Sequence, residues 1–211
     1  LNLIGITGTK GKTTTSYYIK NIFDSIGRTC GLIGKKKNMI GLNEIPSKLT
    51  APEAHIINEM MYEMVKINCS DCVMEVSSHA LSLSRVTELD FNIGVFTNIT
   101  SDHLDFHSTF ENYLNTKKIL FDGLDSDANV IYNLDDSNSE YLISDCPADK
   151  ISYSMNHKSD LTIKNVEYDL NGTSYELEYL GKTYSVKTGL IGLFNAYNST
   201  AAIGSPITTR S

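Results

Sequence analysis

The chain has 211 residues, of which 41% are hydrophobic, so we expect one sizeable domain with a filled core. It carries 18 basic and 25 acidic residues, a formal net charge of −7, which argues against a general nucleic-acid binder because phosphate backbones require dense Lys and Arg. No signal peptide opens the sequence and no apolar run is long enough to span a bilayer, so we expect a cytoplasmic protein without a membrane partner.

The cysteines do not form a metal-binding pattern. Only Cys69 and Cys72 have the spacing of metal ligands, and no second pair completes a site. We therefore expect all four cysteines to be ordinary thiols of a reduced compartment: Cys30, Cys69, Cys72 and Cys146.

Strand and helix patterns alternate over the first two thirds of the chain. Apolar runs predict strands at residues 1–6, 72–76, 93–96 and 130–133. Helical spacing predicts helices at residues 12–26, from Pro52 onward and at 109–124. The methionines after Pro52 fit a core-facing stripe better than a partner groove. This alternation predicts an α/β fold of the P-loop type, with a mostly parallel sheet flanked by helices.

The pattern changes near residue 150. Asn171-Gly172 and Gly181-Lys182 are turn signals between alternating segments, which predicts a small antiparallel β lobe over about residues 150–190. A helical pattern returns at 194–203. Residues 204–211 show no periodicity, and we interpret them as a tail outside a single domain of residues 1–203, either a displaced linker or foreign to the native sequence.

The most informative stretch is the glycine-rich turn after the first strand. Glycines at 5, 8 and 11 precede Lys12 and Thr13, and a helix follows. Backbone N–H groups of such a turn can surround phosphate oxygens at a helix N-terminus, with the lysine on the outer phosphates and the threonine hydroxyl toward Mg²⁺. The general P-loop pattern is missed by one residue, because Ile6 stands where it requires glycine.

Acidic and histidine side chains follow two further strands. Glu75 ends one apolar run and a polar stretch at 77–79 follows it, where the ligand crevice of an α/β sheet lies. Residues 97–107 include Asp102 and His103, which alone could form a zinc or manganese site or a hydrogen-bonded loop. Two acidic strand ends beside a phosphate loop favour a magnesium–nucleotide site. Lys117, taken alone, would be a solvated lysine.

Four stretches together, residues 5–14, 74–81, 96–107 and 192–198, resemble the Mur ligases, the ATP-dependent amide ligases of peptidoglycan synthesis. The Glu-Val-Ser-Ser-His run at 75–79 is similar to the members that act on UDP-N-acetylmuramoyl-L-alanyl-D-glutamate. The resemblance covers residues 1 to about 203.

The resemblance implies a site for ATP, two Mg²⁺ ions and CO₂. Glu75 would share a first Mg²⁺ with Thr13, His103 would hold a second, and Lys117 would be carbamylated by CO₂ to become a metal ligand. Lys118 is adjacent, so the choice of Lys117 rests on the resemblance alone. Catalytic roles would fall to Lys12, Lys117 and His103. The nucleotide would contact Gly8, Thr9, Gly11, Lys12, Thr13, Thr14, Asn195 and Asn198.

The resemblance also implies contacts to the UDP-sugar dipeptide from Thr50, Ala51, Ser77 and Arg85. The forked guanidinium of Arg85 suits a carboxylate or pyrophosphate. Family members often have two threonines where this chain has Thr50-Ala51, and some have a polar residue at the position of Leu83.

The implied reaction adds the third amino acid through an acyl phosphate, with lysine and meso-diaminopimelate both open as the added residue. An N-terminal domain for the uridine end and a C-terminal domain that selects the amino acid are not visible here, so we expect a monomeric fragment that is inactive alone. Two alternatives remain open: a ligase like folylpolyglutamate synthase, and a non-catalytic P-loop nucleotide-binding module.

Overall fold

The computed structural model describes residues 1–47, 49–100 and 104–208, apart from the side chains of residues 104 and 105. The strands are β1 Asn2–Thr7, β2 Cys30–Ile33, β3 Lys37–Ile40, β4 Asn43–Pro46, β5 Asp71–Glu75, β6 Ile93–Phe96, β7 Asn129–Asn133, β8 Asp149–Ser154, β9 Leu161–Asp169, β10 Gly172–Tyr179 and β11 Lys182–Thr188. The helices are α1 Lys12–Ser25, α2 Ala54–Lys66, α3 Ser78–Ser82, α4 Leu104–His107, α5 Phe110–Asp122, α6 Ser139–Leu142 and α7 Leu193–Thr208.

Within the described residues, the strands form one 11-stranded sheet in the order β11-β10-β9-β8-β7-β6-β1-β5-β2-β3-β4. The run from β9 to β2 is parallel throughout. Antiparallel strands extend it at both edges, β10 and β11 on one side and β3 and β4 on the other. The predicted α/β class with a mostly parallel sheet is confirmed.

Helices cover both faces of the sheet because its central strands are apolar on both sides. Along β1, Leu3 packs into one core and its neighbour Ile4 into the other, as the two-residue period of a strand requires. The Leu3 core receives Met60 and Met64 of α2 together with α5, so the methionine stripe faces the core as predicted. The Ile4 core receives the apolar faces of α1 and α7.

The predicted antiparallel region is present as β9–β11, and it continues the main sheet. β8 pairs in parallel with β7, and β9 pairs in parallel with β8, so only the last pairings are antiparallel. The buried Tyr153 hydroxyl of β8 donates to the Phe96 carbonyl at 2.9 Å, which ties this region to the centre of the sheet. Both turns occur one residue earlier than predicted, at 170–171 and at 180–181, so Gly172 and Lys182 already begin strands.

Two further differences separate the structure from the sequence prediction. Strands β2, β3 and β4 were not predicted, since each has only four residues and shows no clear period. The last helix runs to Thr208 and includes residues that we interpreted as tail. Periodicity is absent there because small residues pack the helix tightly on the sheet: a Cβ at Gly204 would lie 3.1 Å from Ile131.

All four cysteines are free and buried. Burial raises the pKa of the Cys72 thiol to about 12, so this thiol stays protonated at neutral pH. Among the described helices, none combines the length and apolar character needed to cross a bilayer.

Phe121→Ala should lower the free energy of unfolding by about 3–5 kcal/mol, because the ring is fully buried and packs edge-on against Phe96. Ile119→Ala on the same helix is the control: Ile119 is 48% exposed, and its loss should change stability by about 0.5 kcal/mol or less. Urea unfolding measures both. Equal losses would contradict this packing of α5.

Candidate functional site

A cavity of about 520 Å³ opens at the carboxyl ends of the central parallel strands. The chain crosses from one side of β1 to the other here, with β5 on one flank and β6 on the other, so the loops after these strands diverge and leave a crevice. The cavity is lined by Thr9, Gly11, Lys12, Thr13, Thr14, Lys35, Leu49, Thr50, Ala51, Glu75, Ser77, His79, Leu83 and Arg85. Most predicted site residues therefore lie in one place.

The turn between β1 and α1 requires glycine at two positions. Gly8 has φ +148°, and a Cβ there would lie 2.0 Å from Thr97 Oγ1. Gly11 has φ +88°, and a Cβ there would lie 2.4 Å from Asn198 Oδ1. Both positions thus combine a left-handed backbone with a close neighbour, and only glycine satisfies the two conditions.

Residues that follow β6 fix the shape of this turn. Asn98 accepts hydrogen bonds from Thr9 N on its carbonyl (2.8 Å) and from Lys10 N on its side chain (3.0 Å). Thr97 Oγ1 and Asn98 Nδ2 both donate to the Lys10 carbonyl, at 2.7 and 2.9 Å. The turn is held from outside, so its form does not depend on a bound ligand.

Lys12 and Thr13 lie at the mouth of the turn. Lys12 Nζ donates to the carbonyls of Gly8 (2.7 Å) and Thr9 (3.1 Å), which folds its cation over the turn. Thr13 Oγ1 donates to Glu75 Oε2 at 2.8 Å. The predicted pair of magnesium ligands is therefore in direct contact, and a hydroxyl beside a carboxylate is the hard oxygen donor set that Mg²⁺ prefers.

The adjacent residues Lys117 and Lys118 have different surroundings in the structure. The Lys117 side chain is buried against the glycine turn, with Nζ 3.1 Å from the Gly8 carbonyl and 4.5 Å from the centre of the Tyr113 ring. Lys118 points elsewhere and pairs with Asp122 at 2.6 Å and Asp145 at 2.7 Å. Burial alone would lower the pKa of Lys118, but its hydrogen bonds to these carboxylates outweigh burial and raise it. Of these two lysines, Lys117 is the one that contacts the glycine turn.

Asn195 and Asn198 lie in the first turns of α7, both buried. Asn198 abuts Gly11 and donates to Asn195 Oδ1 at 3.4 Å, and Asn195 Nδ2 donates to the Ile191 carbonyl at 3.0 Å. The pair thus borders the glycine turn on the side of α7.

The opposite wall of the cavity holds the residues predicted to contact a second substrate. Arg85 forms an ion pair with Glu53 at 2.7 Å and donates to the Ala51 carbonyl at 3.3 Å. Ser77 Oγ accepts from Ala80 N at 3.2 Å and so caps α3, while Thr50 completes the wall. Leu83, noted as a departure from the family pattern, also lines the cavity.

His103 and Asp102 lie outside the described residues. The loop that leads toward them is attached to the glycine turn, since Thr100 N donates to Thr9 Oγ1 at 3.0 Å. His107 is buried, and its ring lies 5.1 Å from the Tyr113 ring and 6.0 Å from the ring of His79, which lines the cavity.

Sequence reasoning missed two contributors. Lys35 lines the cavity, and its backbone N–H donates to Glu75 Oε1 at 2.9 Å. Asp136, after β7, accepts from Ile99 N at 2.7 Å and so supports the loop that leads to residue 103. The Asp135-Asp136 pair is one more acidic strand end and could have been found by the rule that identified Glu75. Lys35 could not, because β2 itself was not predicted.

A comparison with known protein families matches most of the sequence. The sequence model of the Mur ligase middle domain matches residues 6–205. The chain belongs to the Mur ligase family. The family assignment made from the four motifs is confirmed.

Relatives of this Mur ligase domain that carry names are also ligases. The UDP-N-acetylmuramoyl-L-alanyl-D-glutamate–2,6-diaminopimelate ligase 1 of Clostridium acetobutylicum is 43% identical over 203 residues, which are 96% of this chain and 42% of that protein. The ligase with the same substrates in its name from Chlamydia trachomatis (serovar D) is 39% identical over 203 residues, with the same shares of 96% and 42%.

A solved structure of such a ligase superposes with a TM-score of 0.89 at 30% identity, covering 97% of this chain and 42% of that one. The chain thus spans about 42% of the length of each of these relatives.

Gly11→Ala should weaken binding of a fluorescent ATP analogue to this Mur ligase domain by at least tenfold, because the added methyl group meets Asn198 and distorts the turn. Gly27→Ala is the matched control: Gly27 also has a left-handed φ, +80°, but a Cβ there meets nothing within 4 Å. It should cost about 1 kcal/mol of stability and leave affinity unchanged. Fluorescence titration measures affinity, and equal affinity of the two variants would contradict the role of Gly11.

Proposed function

We propose that this chain is the ATP-binding core of a ligase that adds the third amino acid to UDP-N-acetylmuramoyl-L-alanyl-D-glutamate in peptidoglycan synthesis. The observation that carries the proposal is the 2.8 Å contact between Thr13 and Glu75 at the mouth of the glycine turn. The same cavity carries Thr50, Ser77 and Arg85 on its other wall. A nucleotide and an anionic second substrate would therefore meet inside it.

The reaction would proceed in two steps. A carboxylate oxygen of the D-glutamyl residue attacks the γ-phosphorus of ATP, the bond to the β-phosphate oxygen breaks, and ADP leaves. The neutral amine of the incoming amino acid then attacks the carbonyl carbon of the acyl phosphate, the bond from that carbon to the phosphate oxygen breaks, and phosphate leaves with the proton that nitrogen loses as the amide forms. Both steps depend on holding two anionic reactants close together and in line.

Residues of this chain would supply the binding and the charge. Backbone N–H groups of residues 11–14, at the N-terminus of α1, would surround the phosphates, while those of Thr9 and Lys10 stay bonded to Asn98. Lys12 Nζ, now bonded to two carbonyls of the turn, would transfer its hydrogen bonds to the outer phosphates. Mur ligases use Mg²⁺, which when bound offsets charge on the transferring phosphoryl group, and the oxygens of Thr13 and Glu75 would hold it.

A second metal position belongs to the same proposal. Lys117, as a carbamate formed with CO₂, would share a second Mg²⁺ with His103. Carbamylation would replace a cation with an oxygen donor group beside the Gly8 carbonyl, which Nζ approaches to 3.1 Å. The burial of Lys117 against the glycine turn supports this role over that of a solvated lysine.

The alternatives have less support. Sequence identity of 39–43% to ligases named for the muramoyl dipeptide favours a cell-wall substrate over a folate. A non-catalytic nucleotide-binding module would have no use for a buried lysine and a carboxylate on opposite sides of one phosphate turn.

The remaining domains of the whole enzyme are part of the proposal. Segments beyond this chain would bind the uridine end and select the amino acid, and the chain alone would bind nucleotide weakly without ligating. We propose 2,6-diaminopimelate as the added residue, because the relatives carry it in their names. We further propose that the enzyme acts as a cytoplasmic monomer.

Phosphate release by the complete ligase tests the function. It should require ATP, the muramoyl dipeptide and 2,6-diaminopimelate together, with lysine as the competing amino acid and a folate as the competing acceptor. Release with the folate and none with the dipeptide would overturn the proposal.

Lys117→Ala should reduce kcat of the complete ligase by about 100-fold or more, since a metal position near the transferring phosphoryl group contributes several kcal/mol. A short carboxylic acid in the assay should restore part of the rate. Lys118→Ala is the control, because its ion pairs to the exposed carboxylates of Asp122 and Asp145 lie outside the site, so kcat should stay close to the wild-type value. Comparable activity losses in both variants, or no rescue, would count against the carbamate.

A further inference from the structure

A run of three lysines, Lys35 to Lys37, follows β2 at the edge of the sheet that carries the cavity. Only Lys35 lines the cavity. Lys37 pairs with Glu44 and lies 5.8 Å from the centre of the Tyr17 ring. Lys35 and Lys36 are both exposed, and Lys36 lies outside the lining. Three neighbouring residues of the same type thus have three different surroundings.

The backbone at Lys35 is in close contact with the Glu75 carboxylate. Lys35 N donates to Glu75 Oε1 at 2.9 Å, and a Cβ at Gly34 would lie 2.5 Å from the same oxygen. The other carboxylate oxygen, Oε2, accepts from Thr13. Glu75 therefore bridges the Lys35 backbone and Thr13, and Lys35 lines the same cavity as Thr50 and Arg85.

Among the described residues, the Lys35 ammonium has no carboxylate partner. The charged residues of the lining are Lys12, Lys35, Glu75 and Arg85. Arg85 is paired with Glu53 at 2.7 Å, and Glu75 accepts hydrogen bonds from Thr13 and from Lys35 N. Among the described residues, no carboxylate lies within ion-pairing distance of the Lys35 ammonium.

An anionic substrate group that enters the cavity would find the Lys35 ammonium without a carboxylate partner. On the function proposed above, on which this inference rests, the substrate carboxylate must approach the γ-phosphoryl group of ATP. Both groups are negative, and their repulsion within a few ångströms opposes the attack. A cation in the cavity lining would offset that repulsion and orient the carboxylate by a charge-assisted hydrogen bond.

We propose that Lys35 is a further substrate-binding residue, which holds the reacting carboxylate of the second substrate where it meets the phosphoryl donor. The carboxylate oxygen forms its bond to phosphorus, the bond from phosphorus to the leaving ADP oxygen breaks, and Lys35 donates a hydrogen bond without giving up a proton.

The test compares Lys35→Ala with Lys36→Ala in the complete ligase, because the two changes remove the same charge one residue apart. Lys35→Ala should raise KM for the muramoyl dipeptide by about tenfold or more, the loss expected for a hydrogen bond between charged groups. KM for MgATP and for the amino acid should stay within about twofold. Lys36→Ala should match wild type, and Lys35→Arg should recover most of the affinity.

Two further measurements accompany the kinetic comparison. Titration of the dipeptide without ATP should show the same loss for Lys35→Ala, and thermal unfolding should show equal stability of the two alanine variants. Identical KM values for both alanine variants would overturn the inference, as would an equal loss of MgATP affinity. Wild-type enzyme that releases no phosphate with the dipeptide would instead refute the proposed function itself.

Discussion

The hydrogen bond from Thr13 to Glu75 depends on the register of the two central strands. In the parallel pair β1–β5, Ile6 is opposite Glu75, so the carboxylate arrives beside the start of the glycine turn. A slip of one residue would turn Glu75 to the other face of the sheet and leave Thr13 without it. The apolar residues of both strands fix this register, because a slip would also exchange the two cores. Core packing therefore positions the site.

The second neighbour of β1 completes the arrangement. Thr7 is opposite Phe96 in the pair β1–β6, which brings Thr97 and Asn98 against the turn. Strand β1 thus leads into the glycine turn, β5 ends at the Glu75 carboxylate, and β6 leads to Thr97 and Asn98, which hold the turn in shape. Burial of apolar residues in the sheet brings together polar groups that are far apart in the sequence.

Much of this was predictable, and the failures have physical reasons. The glycine turn, the helix after it and Glu75 could be predicted because each is recognised from a short, continuous stretch of sequence. Lys117 and Lys118 are about 100° apart on one helix turn, so only tertiary packing decides which of them meets Gly8. Lys35 depends on β2, which is too short for a period to be visible. The parallel pairing of β8 with β9 leaves no hairpin signal in the sequence.

The contact between Asn198 and Gly11 has a consequence for rigidity. α7 lies directly behind the turn, and Tyr175 of β10 anchors it through hydrogen bonds with Ser199 at 2.8 Å and Thr200 at 2.9 Å. The turn cannot widen on that side unless α7 moves, and α7 cannot move without breaking its bonds to the outer sheet. Strands near the end of the chain, remote from any chemistry, thereby brace the turn formed by the first residues.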